Sequence, residues 1–366
     1  MLVTGAAGFV GSAVTRALLA RGVRVVALLQ PGHPHLGVDG LDVERVVADL
    51  RDADACMGAA DGCRAVFHVA ALYRFWAADP SEFYDVNVGG TLNVMAAARS
   101  AGCESIVYTS TVGTIGVDDT RRGAGKPADE SRYPTVDHLF GPYKQSKYVA
   151  EHEVLRAAAG GLPVVLVQPT FPVGPGDHSP TPSGKTVIDF LNGKMPGFVD
   201  TSLNVVDVDD VAAGHVLAAE RGAIGRSYIL GGENLELRQI LETLAQITGL
   251  PVPTLRVPRS LVLAAARVSQ VVEGRLLRRQ PTVPLEGVRM ATTRMEFNDA
   301  RARDELGYRS RPAAQALERS ARWYADNGYV TPERLARIRW QSPSAPDVSG
   351  NGAVRHKITP TRAEKS

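Results

Sequence analysis

Along the first half of the chain, short unbroken apolar runs alternate with stretches in which apolar residues recur three and four positions apart. Val10, Val14, Ala17 and Leu18 repeat at helical spacing and stop at Gly22. A short run, Met1-Leu2-Val3, precedes them, and residues 23–29 form the next apolar run, so strand, helix and strand follow in order. Further apolar segments lie at residues 43–48, 65–70, 105–111 and 164–170, with helical patterns at 90–99 and 143–158 between them. Strands alternating with helices predict an α/β chain with a Rossmann-type doubly wound parallel sheet. The ligand crevice of such a sheet lies at the carboxyl ends of its strands, where the chain order reverses. Asp49-Leu50, Val69-Ala70-Ala71, Ser110-Thr111 and Gln168-Pro169 all fall at such ends.

From Phe171 the texture changes to Pro, Gly, Ser and Thr, which marks the loops of a second lobe. Residues 1–170 are read as the nucleotide-binding domain, with segments near 203–225 returning to it. Residues 171–330 are read mainly as a smaller substrate lobe. At 366 residues the chain exceeds one average core, in keeping with that division. Beyond Trp340 the sequence is polar, proline-dotted and aperiodic, so residues 341–366 are expected to be a disordered tail. Gly184-Lys185-Thr186 mimics the end of a phosphate loop, but Ser179 stands where that motif needs glycine and no strand leads in, which excludes an NTPase. Residues 261–272 are the most apolar run outside the sheet and fall short of the roughly 20 needed to span a bilayer. They are read as a lobe-packing helix. The alternative, with Arg275, Arg278 and Arg279 following, is a basic amphipathic helix touching a membrane surface or a lipid-like substrate.

The charge balance, 41 basic against 39 acidic residues, gives no reason to expect a nucleic-acid partner. Cys56, Cys63 and Cys103 have neither disulfide nor zinc spacing and read as buried, neutral thiols, and no metal is expected. The first residues are already strand, so no signal peptide is expected and the compartment is read as cytoplasmic. Only three residues precede the turn at Thr4-Gly5, few for a buried parallel strand, so the natural start is expected upstream of Met1 or the strand is cut short.

Two patterns carry chemistry. In Thr4-Gly5-Ala6-Ala7-Gly8-Phe9-Val10-Gly11, Gly5 permits a tight turn and Gly8 lets the backbone approach a pyrophosphate. Gly11 lets the helix pack on the sheet with its N-terminus towards the anion. The βαβ context makes this a dinucleotide site. Gln30 closes the second strand, where an acid would accept from a ribose hydroxyl and an arginine would clamp a 2′-phosphate; it carries neither charge. With no carboxylate to repel the phosphate, NADP is slightly favoured over NAD. The second pattern is Tyr143-x-x-x-Lys147 after Gly141-Pro142, which stacks a phenol and an ammonium on one helix face. A nearby cation eases phenol ionisation. Ser110 and Thr111 offer hydroxyls to a substrate carbonyl oxygen while Tyr143 supplies the proton. Lys147 holds the nicotinamide ribose and is expected to depress the tyrosine's pKa.

These motifs, in this order, resemble the extended short-chain dehydrogenase/reductase family in its epimerase/dehydratase branch. Asn87-Val88-x-Gly90-Thr91, Val208-Asp209-Asp210-Val211-Ala212, Tyr228-Ile229-Leu230-Gly231-Gly232 and Leu306-Gly307-Tyr308-x-x-Arg311-Pro312 extend the likeness over most of residues 1 to 325. Within the branch the chain looks most like hopanoid-associated sugar epimerases and dihydroflavonol-reductase-like enzymes, through Tyr73-Arg74-Phe75-Trp76-Ala77 and Asp189-Phe190-Leu191-Asn192-Gly193 among others. The resemblance implies an NAD(P)-dependent enzyme moving a hydride at a secondary alcohol or ketone carbon. It places Thr111, Tyr143 and Lys147 in the catalytic positions, and Asp49-Leu50 at the adenine. It sets Phe9-Val10 at the pyrophosphate, Val69-Ala70-Ala71 at the adenine ribose, Asn87 beside the nicotinamide end, and Pro169 at the cofactor. Tyr73, Ser110, Gln168 and Asn192 are its substrate candidates. Two positions depart from the pattern: Gln168 stands where sugar-nucleotide enzymes usually carry Asn, and Asp207 where close relatives often carry His. Either could instead be a structural cap. His33 and His35 read as loop surface and His68 as a core histidine. The expected partner is a small sugar, polyketide or terpenoid-like alcohol or ketone, with no transmembrane segment and a homodimer open to the chain.

Overall fold

In the computed structural model β1 (Leu2–Thr4) lies inside a parallel sheet with β2 (Val26–Leu29), β3 (Glu44–Val47), β4 (Ala65–His68), β5 (Ser105–Thr109) and β6 (Val164–Pro169). The structure describes residues 1–341 apart from residue 75, residues 118–125 and residues 278, 280, 283 and 284. Of the tail expected over residues 341–366, residues 342–366 lie outside the described residues. After β7 (Phe171–Val173), β8 (Gly197–Phe198) and β9 (Ser202–Asp207), β10 (Ser227–Leu230) returns to pair with β6. The main sheet therefore holds seven strands in the order β10-β6-β5-β4-β1-β2-β3, all parallel. The order reverses between β1 and β4, which sets the crevice above the glycine loop.

Alternation along each strand sends side chains to opposite faces. Val3, Phe67 and Val107 pack against α1 (Phe9–Leu19) on one face. On the other, Leu2, Val66, Ile106 and Tyr108 pack under α2 (Ala53–Ala60) and the helices after it. Those are α3 (Ser81–Tyr84), α4 (Gly90–Ser100) and α5 (Pro142–Ala159), with a wider turn at Asp85–Gly89 joining α3 to α4. α6 (Pro182–Leu191) belongs to the second lobe, and α7 (Val208–Arg221) comes back to pack on α1.

The second lobe pairs β9 with β7 and with β11 (Glu233–Glu236), and β8 with β12 (Leu255–Arg256). Its core is closed by α8 (Leu237–Thr248) and α11 (Ala313–Asp326), after the intervening α9 (Arg259–Ser269) and α10 (Leu285–Ala291). In α11 the residues Ala313, Ala316, Leu317, Ala321 and Tyr324 form one buried stripe at helical spacing. A short α12 (Pro332–Leu335) is the last helix among the described residues.

Asp207 fastens the lobes. It is fully buried and caps α7, one oxygen accepting from Asp209 N at 2.8 Å and the other from Arg319 Nη1 at 2.6 Å. Arg319 also pairs with Asp209, and Arg311 grips Asp210 at 2.6–3.0 Å while reaching Asp207 at 3.6 Å. The capping reading of Asp207 thus describes its place.

The expectation for residues 261–272 needs correction. α9 buries only Ala266, so its apolar residues do not serve as lobe packing; one side meets α10 and the rest faces outward. Among the described residues no helix is long and apolar enough to cross a membrane.

Candidate active site

The glycine loop shows why its glycines are required. Gly5 has φ +65°, and a Cβ there would lie 2.8 Å from the Ala70 Cα. A Cβ on Gly11 would lie 2.0 Å from the Gly5 carbonyl oxygen, so any side chain would push α1 off the loop. Gly8 precedes α1, whose N-terminus has no side-chain cap, leaving the Phe9-Val10 end open to an anion. This cradle fits the pyrophosphate of a dinucleotide.

Below the loop, Thr4 Oγ1 bonds His68 Nδ1 at 2.7 Å and accepts from Ala70 N at 3.2 Å. His68 Nε2 meets Thr91 Oγ1 at 3.0 Å, and burial pushes its pKa down to about 3. His68 is a neutral core strut that holds the Val69-Ala70-Ala71 segment over the crevice. On the adenine side, Gln30 is exposed after β2 and its carbonyl meets His35 Nε2 at 2.9 Å. The Asp49 carboxylate is forked by Arg51 at 2.6 and 3.0 Å, and the neighbouring Leu50 is buried beneath Gly90 of α4. Asn87 accepts from Leu72 N at 2.7 Å and donates to Ser146 Oγ at 2.9 Å, tying the loop after β4 to α5.

α5 begins with Gly141 at φ +83° and Pro142 in its first turn, where a missing N–H costs nothing. Tyr143 and Lys147 are both buried on its inner face. The Lys147 ammonium donates to Tyr108 Oη at 3.0 Å and to the Thr109 carbonyl at 2.8 Å, and lies 4.5 Å above the Tyr108 ring. Burial lowers its pKa to about 8. The Tyr143 ring lies 4.9 Å from that of Tyr73. The expected depression of the phenol by Lys147 does not dominate: burial pushes the Tyr143 pKa well above its ordinary value, Tyr73 adds to this, and the Thr111 side chain opposes it. Thr111 in turn caps a short turn, Val112–Thr114, accepting from Gly113 N at 3.1 Å.

The substrate candidates divide. Tyr73 lies beside Tyr143. Ser110 and Gln168 do not stand free; they close on Glu151, one helical turn beyond Lys147. Its carboxylate accepts from Ser110, from Thr114 at 2.8 Å and from Gln168 Nε2 at 3.3 Å, while Gln168 Oε1 is left buried without a hydrogen-bond partner among the described residues. Asn192 ends α6 with its amide engaged by Ile188 O, Tyr329 O and Thr331 N, a structural joint in the second lobe. Pro169 closes β6 opposite Leu230.

Three residues of the site escape sequence reading. Glu151 shares the Tyr143-Lys147 face at the next multiple of four, a spacing that could have flagged it. Lys144 is buried with its ammonium 4.3 Å over the Phe140 ring, and burial lowers its pKa to about 8. Glu286, on α10, is only 6% exposed, and neither carboxyl oxygen has a hydrogen-bond partner among the described residues. Burial pushes its pKa up to about 8, while the backbone and ammonium of Lys144 pull it down. No local pattern around Leu285-Glu286-Gly287 announces it. The three cysteines are buried and free, and burial raises Cys56 to about 11. Among the described residues no cluster of His, Cys, Asp or Glu could hold a metal.

Residues 1–231 match the model of the NAD-dependent epimerase/dehydratase family. The chain is 44% identical over 332 residues to a Synechocystis protein provisionally named dihydroflavonol 4-reductase, covering 90% of this chain and 95% of that one. It is 34% identical to sterol demethylase protein B of Methylococcus capsulatus, over 90% of this chain and 99% of the relative. Among solved structures, that of gox2253 superposes with a TM-score of 0.79 at 43% identity, covering 90% of this chain and 99% of that one. The chain belongs to the NAD-dependent epimerase/dehydratase family and is an NAD(P)-dependent enzyme of the short-chain dehydrogenase/reductase type.

Proposed function

We propose that the protein is a reductase of ketones, or in reverse a dehydrogenase of secondary alcohols, acting on a lipophilic ring-bearing substrate. The observation that carries this is Tyr143 and Lys147 buried together on the inner face of α5, with the Lys147 ammonium held by Tyr108 Oη and the Thr109 carbonyl at the carboxyl end of β5. The nicotinamide, when bound, supplies or accepts the hydride. Thr111 donates to the substrate oxygen and fixes it beside Tyr143. The Tyr143 phenol gives its proton to that oxygen as the carbonyl is reduced, and takes it back in the reverse direction. A buried phenol held protonated is suited to donate. Lys147, steadied by Tyr108 and Thr109, anchors the ribose and places positive charge near the oxygen on which negative charge develops.

Three features favour reduction with an exchanging cofactor. Gln168 is turned into the Glu151 cluster, away from the role of a sugar-nucleotide contact. The paired rings of Tyr73 and Tyr143 suit an apolar ring. The relatives named above carry flavonol and sterol names. NADPH is the favoured donor, because Gln30 presents no carboxylate to a 2′-phosphate. The family's own description, epimerase/dehydratase, supports a second reading in which the ketone stays bound and is reduced from its other face. Native mass spectrometry with a ketone panel separates the two. Protein purified empty that oxidises added NADPH in step with ketone loss bears out the reductase; dinucleotide retained through purification with no net oxidation overturns it.

A further inference from the structure

The second lobe carries an apolar face that the fold does not cover. α9 runs straight into a wider turn, Gln270–Leu276. Leu261, Val268, Val272 and Leu276 recur along it at spacings of seven, four and four, which places them on one side. They are 62%, 64%, 43% and 74% exposed, with exposed Ala264 and Ala265 between them. Single exposed apolar residues are ordinary; a continuous helical stripe marks a surface that meets something.

Charge says what. Between residues 255 and 279 stand six arginines, at 256, 259, 267, 275, 278 and 279, against one acid, Glu273. The whole chain carries only +2, so this segment is far more basic than its surroundings. Arg256 pairs with Asp200 at 3.0 Å, Arg279 with Glu273 at 2.8 Å, and Arg259 is engaged as well, but exposed pairs contribute little and the segment itself still holds six arginines against one acid. Two copies meeting on this stripe would bring their arginines together, which opposes self-association. A flat, negatively charged and apolar partner satisfies both features, and an apolar stripe flanked by arginine is the composition of a helix lying in a bilayer interface.

We propose that the exposed face of α9 and the turn after it docks on an anionic lipid bilayer. α9 packs on α10, and α10 carries Glu286 to Gly141 at the start of the catalytic helix. A bilayer-seated α9 therefore sets the substrate crevice beside the membrane, where a lipophilic alcohol or ketone resides. Docking itself does not depend on the proposed reaction.

The test is sedimentation of the full-length protein with vesicles of equal parts phosphatidylglycerol and phosphatidylcholine, and with phosphatidylcholine alone. Binding is expected to the anionic vesicles only and to weaken as salt rises. Leu261→Glu combined with Val268→Glu and Leu276→Glu is expected to reduce partitioning on the order of a hundredfold. Arg267→Ala alone lowers it about fivefold. All four positions are exposed, so melting temperatures should match the parent. Equal binding to neutral vesicles, absence of binding, or binding untouched by the glutamates overturns the proposal. So does a concentration-dependent dimer that the glutamates dissolve, because a second copy would then cover the face.

Discussion

The Glu286 carboxyl is pressed against Gly141: a Cβ at position 141 would lie 2.1 Å from Glu286 Oε2 and 2.2 Å from its Cδ. Gly141 also holds φ +83°, so conformation and contact both demand glycine at the entrance to the catalytic helix. Gly141→Ala is expected to cost about 1–3 kcal/mol of stability and to displace Tyr143. Its kcat should fall tenfold or more, with dinucleotide affinity close to the parent, because the glycine loop is untouched. Urea titration and fluorescence binding check the two halves of this prediction.

Glu286 should make stability fall with rising pH. Its pKa in the fold is about 8 against an ordinary 4.5, so the native state holds a proton that the unfolded chain has released across that interval. The stabilisation is complete below 4.5 and is lost as pH climbs through 8, at up to about 1.4 kcal/mol per pH unit. Lys144 and Lys147, lowered to about 8 from 10.5, act with the opposite sign and only above that interval. His68 and His215, lowered to about 3 and about 4 from 6.5, oppose it below 6.5 in parent and variant alike, so Glu286→Gln should make the slope of stability against pH more positive than the parent's between 4.5 and 8. Urea midpoints measured across pH decide it, and an unchanged slope refutes the buried, protonated carboxyl.

Tyr143→Phe removes the proton donor and leaves the ring packed against Tyr73. Turnover should drop by about 10²–10⁴, with the Kd for dinucleotide changed less than about threefold. Single-turnover hydride transfer at the parental rate would rule out the acid/base role.

Asp207→Ala leaves two guanidinium groups facing a buried vacancy. Removing one partner of such a cluster costs about 3–5 kcal/mol, and here the N-terminal cap of α7 is lost with it. Denaturant unfolding should show a large loss, whereas Asp200→Ala, which breaks only the exposed pair with Arg256, should shift stability by less than about 1 kcal/mol.

What the sequence disclosed and what it hid follow one physical line. Gly5, Gly8, Gly11 and the Tyr143-Lys147 pair were legible because local spacing alone sets their geometry. Strand positions were legible and strand ends less so. The run at 23–29 yields β2 only from Val26, with Val25 buried just ahead of it. The run at 105–111 stops at Thr109, because Thr111 leaves the strand to cap the next turn. Glu151 and Glu286 are charged residues whose burial no local pattern states, whereas Asp207 was legible as a helix-cap candidate. They are buried because groups far away in the chain surround them, and no local period encodes that. α9 fails in the other direction: its apolar run looks like core, and the fold leaves it outside.

Tyr143, Lys147 and Glu151 stand four residues apart on a single helix, about 6 Å of rise between neighbours. Their mutual distances are therefore set by the pitch of one rod, and no loop intervenes among them. A substitution elsewhere in the fold therefore leaves the spacing of phenol, ammonium and carboxylate unchanged as long as α5 stays helical.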